Sequence, residues 1–133
     1  MLVQLAQWGS TMGLEDAMHA VWADDFDPEA ASADDVLVSR LLNWGETIGT
    51  LTKNGLLDTD LVLDWLWVAG VWTRVGPAAR KARGKHGVPE LYENFEALAV
   101  KQAVETSAGR RRPENVSRHG ESDLSVCGNV PTA

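Results

Sequence analysis

The sequence predicts an all-α fold: a single bundle of four to five helices with a disordered C-terminal tail. Three observations lead there. Between residues 34 and 53 the apolar positions Leu37, Leu41, Trp44, Ile48 and Leu51 stand four and three apart, which gathers them on one helix face. No run alternates apolar and polar residues between hairpin-turn residues, the pattern that a strand requires. The chain has 133 residues, 44% hydrophobic and 23% charged, which is the size and composition of one globular domain and not of a fibre or a wholly disordered chain. From Ser107 onward the periodicity stops, and that polar composition buries too little apolar surface to offset the entropy of ordering. The expected organisation is a helical bundle over residues 1–106 and a flexible tail over 107–133.

Leu2, Leu5 and Trp8 predict a short helix before Gly9, and Leu14, Met18, Val21 and Trp22 a second near 11–23. The 34–53 helix carries Arg40, Asn43, Glu46 and Lys53 opposite its apolar stripe. Gly45 and Gly49, four apart on it, form a notch that a neighbouring backbone can enter. Asn54-Gly55 ends it. Asp58 suits the N-cap of the next helix, and Asp60 the positive end of its dipole. From Leu61 to Trp72 the residues are apolar almost all round, which marks a central, buried element. Gly76-Pro77 is expected to kink or restart it, because proline removes a donor and clashes with the preceding turn. The stretch 77–86 ends in cations, as a helix C-terminus favours, before Gly87. Pro89 suits the first position of a last helix over about 89–106, with Leu91, Phe95, Leu98 and Ala99 as its stripe.

Composition removes several function classes. A net charge of -7 argues against a dedicated nucleic-acid binder. Cys127 is the only cysteine, so no internal disulfide and no cysteine-built zinc site can form. The longest apolar stretch, Leu61 to Trp72, is 12 residues and contains Asp64, against the roughly 20 that a membrane span needs. The N-terminus lacks the basic start and long apolar core of a secretory signal. A soluble cytoplasmic protein is the expectation.

The strings NWGETIGTL (43–51) and GLLDTDLVLDWL (55–66), then Trp72 and GVPELYENFEAL (87–98), resemble an uncharacterised bacterial helical family. It is a domain of unknown function whose members commonly read N-x-x-E-x-I-G, then G-L-L-D-x-D-L-V, then P-E-L-Y-E-N-F-E. The resemblance covers roughly residues 10–100, and ELYENFE is its most specific part. It implies an all-helical fold and supplies no catalytic residues. Many relatives carry a membrane helix ahead of this domain, and this chain is expected to be the cytosolic portion alone.

Several side chains are candidates for function. Asp64, alone among apolar neighbours, is expected to be buried and paired with Arg40, Arg74 or Asn43, or to act as an acid with Glu46 as its second carboxylate. Among the tryptophans, Trp44, Trp65 and Trp72 fit the apolar stripes and are expected in the core, whereas Trp67 is offset and suits either a core or a partner-facing anchor. Tyr92 and Asn94 flank the last stripe and suit hydrogen bonds to helix ends, with Asn94 also a candidate ligand contact. The basic run Arg80, Lys81, Arg83 and Lys85 suits a solvated helix end or an electrostatic contact. It is opposite in sign to the lysine- and arginine-free segment 15–35, and the two are expected to attract within or between molecules. Glu90, Glu93 and Glu96 beside His86 lack the Glu-x-x-His pattern of helical metal sites and read as first-turn acids. Arg110–Arg112 and Cys127 carry no definite role. The expected function is a non-enzymatic helical interaction or regulatory module, with a protein partner or a second copy of itself. The alternatives are a small-ligand-binding domain with weak chemistry using Asp64 and Glu46, and a peripheral membrane or nucleic-acid contact through the basic run. No catalytic residue, metal ligand or cofactor is assigned.

Overall fold

Glycine and aspartate punctuation divides the described residues into six helices: α1 (Leu2–Thr11), α2 (Leu14–Trp22), α3 (Val36–Lys53), α4 (Thr59–Trp65), α5 (Val68–His86) and α6 (Glu93–Gly109). The computed structural model describes residues 2–109, and no strand occurs among them. The all-α class holds, with one helix more than the upper expectation. Gly13, at φ 72°, turns α1 into α2, and Gly87, at φ 67°, ends α5; both angles lie where a Cβ is penalised. The Asp35 side chain accepts from the Leu37 and Val38 amides to start α3, and Asp58 accepts from the Leu61 amide to start α4, satisfying donors that a helix start leaves free.

The core gathers Ala17 and Val21 of α2, Leu41, Leu42, Trp44 and Ile48 of α3, Val62 of α4, Val71, Trp72, Val75 and Ala79 of α5, and Phe95 and Leu98 of α6. Trp72 meets Phe95 edge to face, with ring centres 5.0 Å apart, the arrangement that aromatic quadrupoles favour. The packed unit runs to Gln102. Helix α6 continues to Gly109, past the expected start of the tail at 107; the remainder of that segment, with Arg110–Arg112 and Cys127, lies outside the described residues.

Five expectations are corrected. The apolar run 61–72 is not one helix. It breaks at Leu66-Trp67, and α5 then runs unbroken through Pro77. Proline is tolerated there because Thr73, whose carbonyl would have received the missing N–H, is exposed and can bond to water. The last helix begins at Glu93 instead of Pro89, because Tyr92 adopts φ 61°, a left-handed conformation that cannot belong to the helix. The break at Leu66-Trp67 also turns the outer face of α4 to solvent, so Trp65 is 43% exposed and not in the core. Asp64 is exposed as well, not buried and paired. No helix among the described residues is long and apolar enough to cross a membrane.

Candidate functional site

Interrupting an apolar helix frees carbonyls at the end of one half and amides at the start of the next. Gln102 of α6 receives them. Its Nε2 donates to the carbonyls of Leu63, at 2.8 Å, and Leu66, at 2.6 Å, and its Oε1 accepts from the Ala69 amide at 2.7 Å. This buried side chain therefore holds the last turn of α4 and the first turn of α5 together, and the residue between them, Trp67, is placed at the surface. Gln102 follows Phe95, Leu98 and Ala99 on one helical stripe, so a polar residue at the next apolar position was the available signal for it.

Trp67 is 67% exposed. Its ring folds back over Gly70, where a Cβ would lie 2.4 Å from an indole carbon. The opposite partner is Trp22, at the end of α2: the two rings stack with centres 5.4 Å apart and planes 8° from parallel. Arg74 of α5 secures Trp22. Its Nε donates to the Val21 carbonyl at 2.7 Å and its Nη2 to the Phe26 carbonyl at 3.4 Å, while the guanidinium carbon lies 5.4 Å from the Trp22 ring centre and 5.2 Å from that of Phe26. A cation at the last carbonyls of α2 also suits that end of the helix dipole. Two half-open indoles are thus fixed from beneath by a buried amide and a guanidinium. The sequence leaves Trp67 as one of two possibilities; it does not point to Trp22, Gly70, Arg74 and Gln102 as its neighbours, because they lie on three different helices.

The surroundings of this platform are acidic. Asp24 and Asp25 follow Trp22, Asp60 and Asp64 precede Trp67, and all four are exposed, as is Leu61 one turn before Trp65. Arg74, the base nearest the rings, is turned to backbone carbonyls.

The other candidates lie elsewhere. Glu46 does not join Asp64. Its Oε1 accepts from the Asn94 and Phe95 amides, each at 2.9 Å, and its Oε2 from Asn94 Nδ2 at 3.0 Å. A carboxylate from α3 thereby serves as the N-terminal cap of α6, a task that Tyr92, in its left-handed conformation, leaves undone. The glycine notch receives the same segment. A Cβ at Gly45 would lie 2.3 Å from the Phe95 ring, and one at Gly49 2.5 Å from the Asn94 carbonyl oxygen. Tyr92 is half-buried; burial, then the Glu46 and Asp34 carboxylates, raise its phenol above the ordinary 10.0.

The basic run meets its own chain. Lys81 donates to the Glu29 carbonyl, and Lys85 pairs with Asp34 at 2.8 Å, holding that carboxyl below its ordinary range by this hydrogen bond and by its charge. Arg83 donates to the Leu91 carbonyl at 2.7 Å and pairs with Glu96 at 3.1 Å, and Arg80 reaches Glu96 at 3.7 Å. Glu90 and Glu93 are exposed on the turn into α6 and its first residue, and among the described residues no group of three His, Cys, Asp or Glu is placed to hold a metal ion.

A family model described as Domain of unknown function (DUF4760) matches residues 5–102, consistent with the resemblance to an uncharacterised domain family. No curated protein matches the chain, and no solved structure does.

Proposed function

The chain belongs to this family of unknown function, and from its own geometry we propose that it is a non-enzymatic helical module that binds a partner protein through the Trp22–Trp67 platform. The observation that carries the reading is Trp67: a large aromatic, two-thirds exposed, whose conformation is fixed by Gly70, Trp22 and, through the break that places it, Gln102. Covering a side chain of this size removes apolar surface worth about 2 kcal/mol, and a pre-set rotamer loses little entropy on binding. Aromatic anchors of this kind dominate contact energetics.

The charge around the platform selects the partner's chemistry. Acids stand on both sides and the nearest guanidinium is engaged with carbonyls, so a basic, amphipathic helix with an apolar face is the complementary surface. The engagement of Arg80, Lys81, Arg83 and Lys85 with their own chain weighs against a nucleic-acid or lipid contact through them. The test uses fluorescence anisotropy with a labelled amphipathic Lys/Leu peptide and its Glu/Leu counterpart. The basic peptide binds, Trp67→Ala weakens it about tenfold, and binding falls as salt rises. Equal binding of both peptides, or Trp67→Ala binding like the wild type, rules the reading out.

A further inference from the structure

A second concave surface lies apart from the platform, and neither Trp22 nor Trp67 lines it. Helices α1 and α2, joined by the tight Gly13 turn, diverge over α3 and leave a cavity of about 520 Å³. Buried Trp44 and Leu5 contribute to its lining together with Met18, and half-exposed Trp65 contributes from α4. Glu15 and His19, one turn apart on α2, are its ionisable groups, both exposed, and among the described residues neither side chain has a hydrogen-bond or ion-pair partner; exposed Ser10 of α1 also lines it. No lysine or arginine lines it.

We propose that this cavity binds a small amphipathic cation, an apolar body carrying a protonated amine. The size falls in the range of small-molecule pockets, about 300–1,000 Å³, and the lining has their composition: mostly apolar and aromatic, with a few polar groups that set orientation. The sign of the ligand follows from the polar groups. Glu15 offers a carboxylate to an ammonium, and the open indole of Trp65 attracts a cation to its face. A carboxylate ligand would meet Glu15, and no lysine or arginine in the lining offsets it. The apolar body then lies on Met18 and the Trp44 indole, where displacing water from apolar surface favours binding.

The experiment titrates the full chain with n-octylamine hydrochloride and, separately, sodium octanoate, both below their aggregation concentrations, by calorimetry and tryptophan fluorescence. Octylammonium saturates a single site, and octanoate binds at least about tenfold more weakly because the charge term changes sign. Ala6→Trp, placing an indole on the cavity wall, removes the saturable binding, and Glu15→Gln weakens it about threefold, the size of one exposed charge contact. Trp67→Ala leaves it unchanged, which separates this site from the platform. Octanoate binding as well as octylammonium, or Ala6→Trp binding like the wild type, overturns the proposal, as does an amine signal lost in Trp67→Ala. Should Ala6→Trp fail to fold by circular dichroism, the octanoate comparison and Glu15→Gln, both made on exposed chemistry, decide the matter by themselves.

Discussion

Two places where α6 meets the rest of the bundle have opposite character. At its start, Glu46, Gly45 and Gly49 close on Asn94 and Phe95: the amides are bonded, the ring is buried and neither glycine has room for a Cβ. Farther along, Gln102 closes on Leu63, Leu66 and Ala69 with the same completeness, yet the outcome is an open one, because the chain it stitches together leaves Trp67 outside. Both contacts are a polar side chain satisfying the free ends of a helix. The first makes a joint. The second makes a platform. What differs is the residue beside the joint: a phenylalanine that a glycine pair admits to the core, and a tryptophan whose ring a glycine admits only onto its own helix.

The sharpest way to break this contrast is to delete each aromatic. Phe95→Ala removes a fully buried ring in edge contact with Trp72 and costs about 4 kcal/mol, read by chemical denaturation. If the loss stays below about 1 kcal/mol, an amount typical of surface sites, the joint is looser than its geometry. Second in size is Gln102→Leu, which keeps the volume but strands two carbonyls and an amide at the α4–α5 break. It costs about 2–3 kcal/mol, the desolvation of unsatisfied groups. It also disturbs the Trp22–Trp67 stack, seen as loss of the paired-indole band in near-ultraviolet circular dichroism. A stability loss with the band intact would mean that Gln102 supports the core and not the platform.

The glycine notch and the Phe95 stripe of the joint are legible in the sequence; its Glu46 cap and the platform are not, for a physical reason. Gly45 and Gly49 four apart announce a close approach whatever approaches, and the Phe95 stripe announces a buried face. Both properties are local. The strings that resemble the family, NWGETIGTL and GVPELYENFEAL, contain Glu46, Asn94 and Phe95, so the most recognisable residues are those that fasten α3 to α6. The roles of Asp64 and Trp65 depended on whether 61–72 is one helix. That is settled by a glutamine far along the chain, since the hydrogen-bonded Ala69 and Gln102 are 33 residues apart. No periodicity within 61–72 reports it. For Pro77 the sequence rule was sound as a tendency, and it yields here because the bereft carbonyl belongs to an exposed residue.

Trp67→Ala sharpens the comparison from the other side. Two-thirds of the side chain is already in water, so its removal changes stability by less than about 1 kcal/mol, while the paired-indole band disappears. A loss near that of Phe95→Ala would show the ring to be part of the core after all, and the platform would cease to be a distinct region.

The smallest effect lies at the edge of the joint and is a matter of pH. Tyr92 is the only tyrosine, so tyrosinate difference absorbance follows it alone. Burial first, then the Glu46 and Asp34 carboxylates, disfavour its phenolate, and its folded-state titration lies above 10.0. The sign is fixed by linkage. Above pH 10 the unfolded chain gives up the phenol proton before the folded one does, which favours unfolding. The stabilisation is therefore whole below pH 10 and is lost as pH rises through the folded-state value. Tyr92→Phe removes this term, so its denaturation midpoint falls less steeply above pH 10 than that of the wild type, lysines being common to both. Glu46→Gln separates the causes: with the stronger of the two charge effects gone, the phenol titrates lower than in the wild type, while burial still holds it above 10.0. If Glu46→Gln leaves the titration where it was, the carboxylate that caps α6 does not act on the phenol, and burial with the Asp34 charge accounts for its shift.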